Sequence, residues 1–202
     1  MILGLVGRKS AGKDTAFARL QIIGPEYGFA HVYRYSFADK LKQSAAALFD
    51  VPVETWDEAK NNPYARVRLT ATGPGDAPTI LLSELSVREF LQRYGTESHR
   101  EIFGGNFWVD QIDIDDMPDE LNVVTDVRFP EEAERIFTLG GFLVYINCAP
   151  DAYLPDEHAS ETSLRPKDCE FSIENFERND NFFALDNNLR SLLDVLQPDE
   201  PA

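Results

Sequence analysis

Hydrophobic and polar positions along the chain alternate between two rhythms. Ile2–Val6 is a continuous apolar run that stops at Gly7, the pattern of a strand buried on both faces. From Lys13 to Ile23 the period lengthens, with Ala16, Leu20 and Ile23 on one face of a predicted helix. Residues 31–37 read as a second strand and 38–50 as a second helix that ends before Pro52. Strand, helix, strand, helix in this order predicts parallel pairing.

The stretch 51–85 carries Pro52, Pro63, Pro74, Pro78, Gly73 and Gly75 and reads as an irregular insertion. A sharp helix start follows: Ser86 and Glu89 have capping-box spacing, and Val87, Phe90, Leu91 and Tyr94 form an apolar stripe. This helix is expected to reach Phe103 and stop at Gly104-Gly105, with Gly95 as a point of interruption. Residues 121–127 and 142–148 are further apolar strands, separated by a helix over 130–139 with Pro130 in its first turn and Gly140-Gly141 after it. Residues 149–168 are polar and irregular, and 185–196 predicts a closing helix. The reading is a single three-layer α/β domain with a central parallel sheet of about five strands flanked by helices.

Composition narrows the function. At 202 residues and 43% hydrophobic, the chain can bury one substantial core. No apolar run approaches the roughly 18–20 residues of a membrane span, and Met1–Gly7 is too short for a signal-peptide core, so a soluble, cytoplasmic protein is expected. Cys148 and Cys169 form no metal-binding spacing, and neither disulfide nor structural zinc is expected. The net charge of −16 argues against a partner that is a nucleic-acid polymer. Charge is also uneven: residues 1–49 hold seven Lys/Arg against three acids, whereas 110–135 hold ten acids and two arginines. A positive front end on an acidic protein suggests a local site for a compact anion.

That site is legible. Gly7-Arg8-Lys9-Ser10-Ala11-Gly12-Lys13-Asp14-Thr15 matches GxxxxGK between the first strand and first helix, where backbone N–H groups can turn around a phosphate and Lys13 can reach the β- and γ-phosphates. The usual hydroxyl residue is replaced by Asp14, a carboxylate suited to Mg²⁺ directly or through water, and Thr15 offers a hydroxyl to the α-phosphate or to the metal. The sequence leaves these roles open. A guanine-reading NKxD segment is not visible, since Asn179-Asp180-Asn181 lacks the lysine. The strand over 121–127 delivers Asp126 and then Arg128, which would place a carboxylate near Mg²⁺ and a guanidinium near a migrating phosphoryl group, as in a small-molecule kinase.

Taken together, the loop just described, Ser36-Phe37-Ala38-Asp39-Lys40-Leu41-Lys42, Ser86-Val87-Arg88 through Gln92 to Gly95-Thr96-Glu97, Phe107-Trp108-Val109, Asp126-Val127-Arg128-Phe129-Pro130-Glu131-Glu132 and Asp156-Glu157-His158-Ala159-Ser160-Glu161 resemble the bacteriophage deoxynucleoside monophosphate kinase family. The resemblance implies a P-loop kinase that moves the γ-phosphoryl group of ATP, with Mg²⁺, to a deoxynucleoside monophosphate. It implies ATP contacts from Gly7, Lys9, Ser10, Ala11, Gly12, Lys13, Asp14 and Thr15, catalytic roles for Lys13, Asp126 and Arg128, and Mg²⁺ near Asp14 and Asp126.

For the acceptor, Arg88, Gln92, Thr96 and either His99 or Arg100 recur on the polar side of the Ser86 helix. Arg88 and Arg100 are candidates for its phosphate and Gln92 for its base. Phe37 and Trp108 are candidate base-stacking rings, and Lys42 a further phosphate contact. His158, Ser160, Glu161 and Arg165 are expected on a lid that closes over the substrates. A homodimer is compatible with all of this. Two alternatives stay open: a kinase acting on phosphomevalonate or dephospho-coenzyme A, and a catalytically silent nucleotide-binding regulator.

Overall fold

The structure, a computed structural model, describes residues 1–72, 79–115, 117–148, 163–176 and 182–197. The chain divides into two compact units, one formed by Met1–Phe37 with Ile112–Ala202 and the other by Ala38–Gln111.

The first unit is built on five parallel strands: β1 (Ile2–Val6), β2 (His31–Tyr35), β5 (Glu120–Val124), β6 (Phe142–Cys148) and β7 (Phe171–Asn175), in the order β2-β5-β1-β6-β7. All five residues of β1 are buried, as an unbroken apolar run demands of a strand at the centre of a sheet. Its side chains divide by the pleat. Leu3 and Leu5 join Leu121, Val123, Val144, Ile146 and Ile173 on one face, beneath α1 (Lys13–Ile23) and α7 (Phe183–Leu196). Those helices contribute Ala16, Leu20 and Ile23, and Leu185, Leu189, Leu192 and Leu193, each set at helical spacing. The other face is covered by α6 (Pro130–Thr138), which packs on β1 and β6 with Ile136 lying over Gly4. The expected α/β sheet with helices on both faces is present.

Leu20 is fully buried in the α1–α7 layer. Leu20→Ala should therefore destabilise the chain by about 2–5 kcal/mol, read as a lower urea midpoint with an unchanged slope.

The fifth strand had no sequence assignment. In β7 only Ile173 is buried, so a short edge strand shows little of the apolar run that marks β1. The second strand is shorter than the expected 31–37: it ends at Tyr35, because the Phe37 N–H turns to the Asp126 carboxylate, Oδ1 at 2.9 Å, and begins α2 (Phe37–Phe49).

The second unit holds most of α2, α3 (Glu54–Ala59), β3 (Arg66–Thr72), β4 (Thr79–Ser86), α4 (Val87–Gly95) and α5 (Glu101–Phe103). The expectation of an irregular 51–85 is corrected: β3 and β4 pair as an antiparallel hairpin, and Trp56 of α3 stacks on Phe90 with ring centroids 5.4 Å apart. The prolines and glycines that suggested irregularity fall before β3 and between the two strands. Ser86 caps α4 as expected, its Oγ accepting the Glu89 N–H at 3.2 Å.

The helix does reach Phe103, but after Gly95 it widens to a π-helical turn over Thr96–Arg100. A Cβ on Gly95 would lie 2.3 Å from Leu41 Cδ1, and the Gly95 carbonyl accepts the Trp108 indole N–H at 3.0 Å. A side chain at position 95 would therefore require the Leu41 side chain to shift. Among the described residues no helix is long and apolar enough to cross a membrane.

Candidate active site

Strand order decides where a ligand can sit in the first unit. From β1 the chain passes through α1 on one face to reach β2, and from β5 it passes through α6 on the other face to reach β6. The neighbours β1 and β5 thus send their helices to opposite faces, which opens a crevice beyond their C-terminal ends. Their register pairs Gly4 with Val124, so Gly7 and Asp126 both lie just past the same edge.

The loop that leaves β1 there is Gly7–Gly12. Its backbone takes φ +150° at Gly7, +62° at Ser10 and +96° at Gly12, and the Ala11 N–H closes onto the Arg8 carbonyl at 3.0 Å. Lys13 is the first residue of α1 and only 8% exposed; its Nζ donates to Gly7 O at 2.5 Å and Arg8 O at 3.0 Å. The ammonium is thereby bent back over the loop instead of extending into solvent. Asp14 is exposed in the first turn of α1, and Thr15 and Lys9 are half-buried. This is the strand–loop–helix geometry that accepts phosphate on backbone amides at a helix N-terminus.

One strand over, Asp126 is held at both oxygens: Oδ2 accepts from Ser36 Oγ at 2.7 Å and Oδ1 from the Phe37 N–H. Two residues later the Arg128 N–H donates to Glu132 Oε2 at 2.7 Å, and the Phe129 N–H shares that oxygen at 3.1 Å. Glu132 is 2% exposed, so a buried carboxylate sets the backbone from which Arg128 projects. The exposed carboxylate of Asp14 and the oriented one of Asp126 suit Mg²⁺, which uses one or two carboxylates together with phosphates.

In the second unit Arg88 and Gln92 stand one turn apart on α4, both half-buried, and Arg88 Nη2 donates to Asn61 Oδ1 at 3.2 Å. Arg100 lies in the widened turn, its Nη1 donating to Gly105 O at 3.0 Å. The π turn takes Thr96, His99 and Arg100 off the strict period that the sequence pattern assumed. His99 is packed among Tyr94, Phe103, Phe107 and Trp108, with Nδ1 against Tyr94 O.

Three acceptor expectations meet a different environment. Phe37 and Trp108 are 2% and 4% exposed, so both rings serve as core and present no free face for a base. Lys42 is also buried, and its ammonium lies 3.1 Å from both Asp57 oxygens and 3.2 Å from Asp39. Burial pushes the Asp57 pKa up, but hydrogen bonds from Lys60 and Lys42 outweigh it and leave that carboxyl below its ordinary range.

The comparisons with known proteins bear on this arrangement. The sequence profile of the deoxynucleotide monophosphate kinase family matches residues 76–184. A relative from Acanthamoeba polyphaga mimivirus, described as "Putative deoxynucleotide monophosphate kinase", is 32% identical over 173 residues, covering 82% of each chain. The chain belongs to the deoxynucleotide monophosphate kinase family.

The kinase's relative comes from a virus of an amoeba, which broadens the expected bacteriophage kinship to a viral one. Of the lid candidates, His158, Ser160 and Glu161 lie outside the described residues. Arg165 is exposed at the start of a 3-10 turn, its N–H donating to Asp168 Oδ2 at 2.8 Å. Neither cysteine of the kinase is poised as a nucleophile: Cys148 is buried, and burial, with Glu170 and Asp168 nearby, pushes the Cys169 thiol up to about 12.

Sequence reasoning gave no role to Ser36, Glu132 or Asn175. Glu132 carried a signal, an acid in the first turn after Pro130. Asn175 had none, because its partner lies across the sheet.

Proposed function

We propose that this kinase transfers the γ-phosphoryl group of ATP to a deoxynucleoside 5′-monophosphate, giving ADP and the deoxynucleoside diphosphate. The observation that carries the reading is the β1–α1 loop, with Lys13 folded over it at the crevice beyond β1 and β5. An oxygen of the acceptor phosphate attacks the γ-phosphorus, the bond to the β,γ-bridging oxygen breaks, and that oxygen leaves with ADP. Asp126 and Asp14 are the residues that would hold Mg²⁺, which when bound would neutralise charge developing on the transferring phosphates.

The remaining work falls to the chain's own cations and amides. The loop amides orient the triphosphate, Lys13 offsets negative charge on the β- and γ-phosphates, and Arg128 stabilises the group in transit. Fixed positive charge matters here because two polyanions must approach within bonding distance. Arg88, Gln92 and Arg100 are the residues we assign to the acceptor, the two arginines to its phosphate and Gln92 to its base.

The test is a panel of the four deoxynucleoside monophosphates, their ribose counterparts, phosphomevalonate and dephospho-coenzyme A, each with ATP and Mg²⁺. Diphosphate formation from at least one deoxynucleotide is expected, and Arg88→Ala should raise its KM while leaving the KM for ATP unchanged. Turnover confined to the non-nucleotide acceptors would overturn the proposal.

A further inference from the structure

We propose that Asn175 is a positioning residue for the phosphate loop, acting through the peptide between Ala11 and Gly12; this rests on the loop being the ATP site. Asn175 ends β7, the edge strand, where it pairs in register with Cys148 of β6. Its Nδ2 donates to the Ala11 carbonyl at 2.9 Å, a contact between residues 164 positions apart. Ala11 is 1% exposed, so without this donor a carbonyl in a tightly packed turn would lose a partner.

The geometry of the peptide makes the bond consequential. In a planar trans peptide the C=O and the following N–H point in opposite directions. Holding the Ala11 oxygen toward β7 therefore turns the Gly12 N–H away from β7. That amide immediately precedes Lys13 and the first turn of α1, where a phosphate would be received.

Space carries the same message. A Cβ on Gly12 would lie 2.2 Å from Asn175 Nδ2, and Gly12 also holds φ +96°. The glycine is thus needed twice, for its backbone angle and for the room that the carboxamide occupies. Ile173 is the buried residue of β7, so the carboxamide is not what anchors the strand in the core. Among the described residues its carboxamide donates to the loop.

The experiment compares the wild-type chain with Asn175→Ala and the isosteric Asn175→Asp, which replaces the donor by an acceptor and adds charge. Two readouts are taken: hydrogen exchange of the amides of residues 8–13 in the ligand-free protein, and steady-state kinetics with ATP and the best deoxynucleotide from the panel. For Asn175→Ala the loop amides should exchange roughly tenfold faster and the KM for ATP should rise roughly tenfold, the size of one lost hydrogen bond. The KM for the deoxynucleotide should stay at its wild-type value, and the unfolding midpoint should fall by no more than one lost hydrogen bond accounts for. Asn175→Asp should be the worse of the two, because its carboxylate faces a carbonyl and repels the triphosphate.

Unchanged exchange in both variants, or equal rises in the two KM values, would overturn the assignment. A wild-type chain that phosphorylates no deoxynucleotide would instead overturn the proposed function, while the exchange measurement would still decide whether Asn175 holds the loop.

Discussion

Lys13→Ala should lower kcat on the order of 10²–10³-fold, the effect of removing one preorganised group that stabilises transition-state charge. The structure argues for an effect of that size. The Lys13 side chain is almost wholly buried, and its ammonium is held by the Gly7 and Arg8 carbonyls. Lys13→Arg should not rescue, because a planar guanidinium cannot reproduce a compact ammonium held by two carbonyls of the same short loop. Single-turnover phosphoryl transfer separates chemistry from product release, and wild-type rates in Lys13→Ala would contradict the mechanism.

Asp126 is the second position where a large effect is expected. Asp126→Ala should reduce kcat by about 10²-fold or more and raise the Mg²⁺ concentration needed for half-maximal rate, since a fixed carboxylate contributes to cation placement only while it is oriented. Both oxygens of Asp126 are oriented, one by the Ser36 hydroxyl and one by the Phe37 N–H that opens α2. Ser36→Ala is the informative companion. It removes one of these bonds without touching the carboxylate, and should shift the Mg²⁺ dependence by a smaller factor. A Mg²⁺ titration of all three proteins checks this, and an Asp126→Ala enzyme with wild-type metal dependence would remove Asp126 from the metal site.

The contrast between Lys13 and Asn175 explains how far the candidate site could be read in advance. Lys13 and its loop lie within nine consecutive residues, between a buried strand and a helix, and local chemistry dictates both elements. Glycines permit the turn, the apolar run fills the sheet, and the lysine follows at the one spacing that brings it back over the loop. Asn175 acts on the same loop, but from the opposite end of the chain. Its contact exists because β7 was added to the sheet edge beside β6.

The same distinction runs through the second unit. The Ser86 cap and the Val87–Tyr94 stripe were legible because both depend on neighbours within one or two turns. An interruption at Gly95 was legible from the glycine, but its π-helical form was not, because it accompanies the approach of Leu41 and Trp108, one from a preceding helix and one from a following turn. Phe37 and Trp108 show the limit for function. An aromatic residue near a polar segment has the composition of a base-stacking site, yet burial decides whether a ring has a free face, and both of these are enclosed.

The amino-acid sequence alone therefore determined the parallel α/β architecture and the opening strand–loop–helix, and singled out Lys13, Asp126 and Arg128 as candidates, since each follows from periodicity or short-range spacing. Tertiary structure decided which strands adjoin, and hence that Gly7 and Asp126 share an edge; it also decided that Ser36 orients Asp126, Glu132 sets the backbone at Arg128, and Asn175 reaches Ala11. The physical reason is that a hydrogen bond depends on separation in space, and only packing of the sheet and its helices brings residues tens to hundreds of positions apart to about 3 Å.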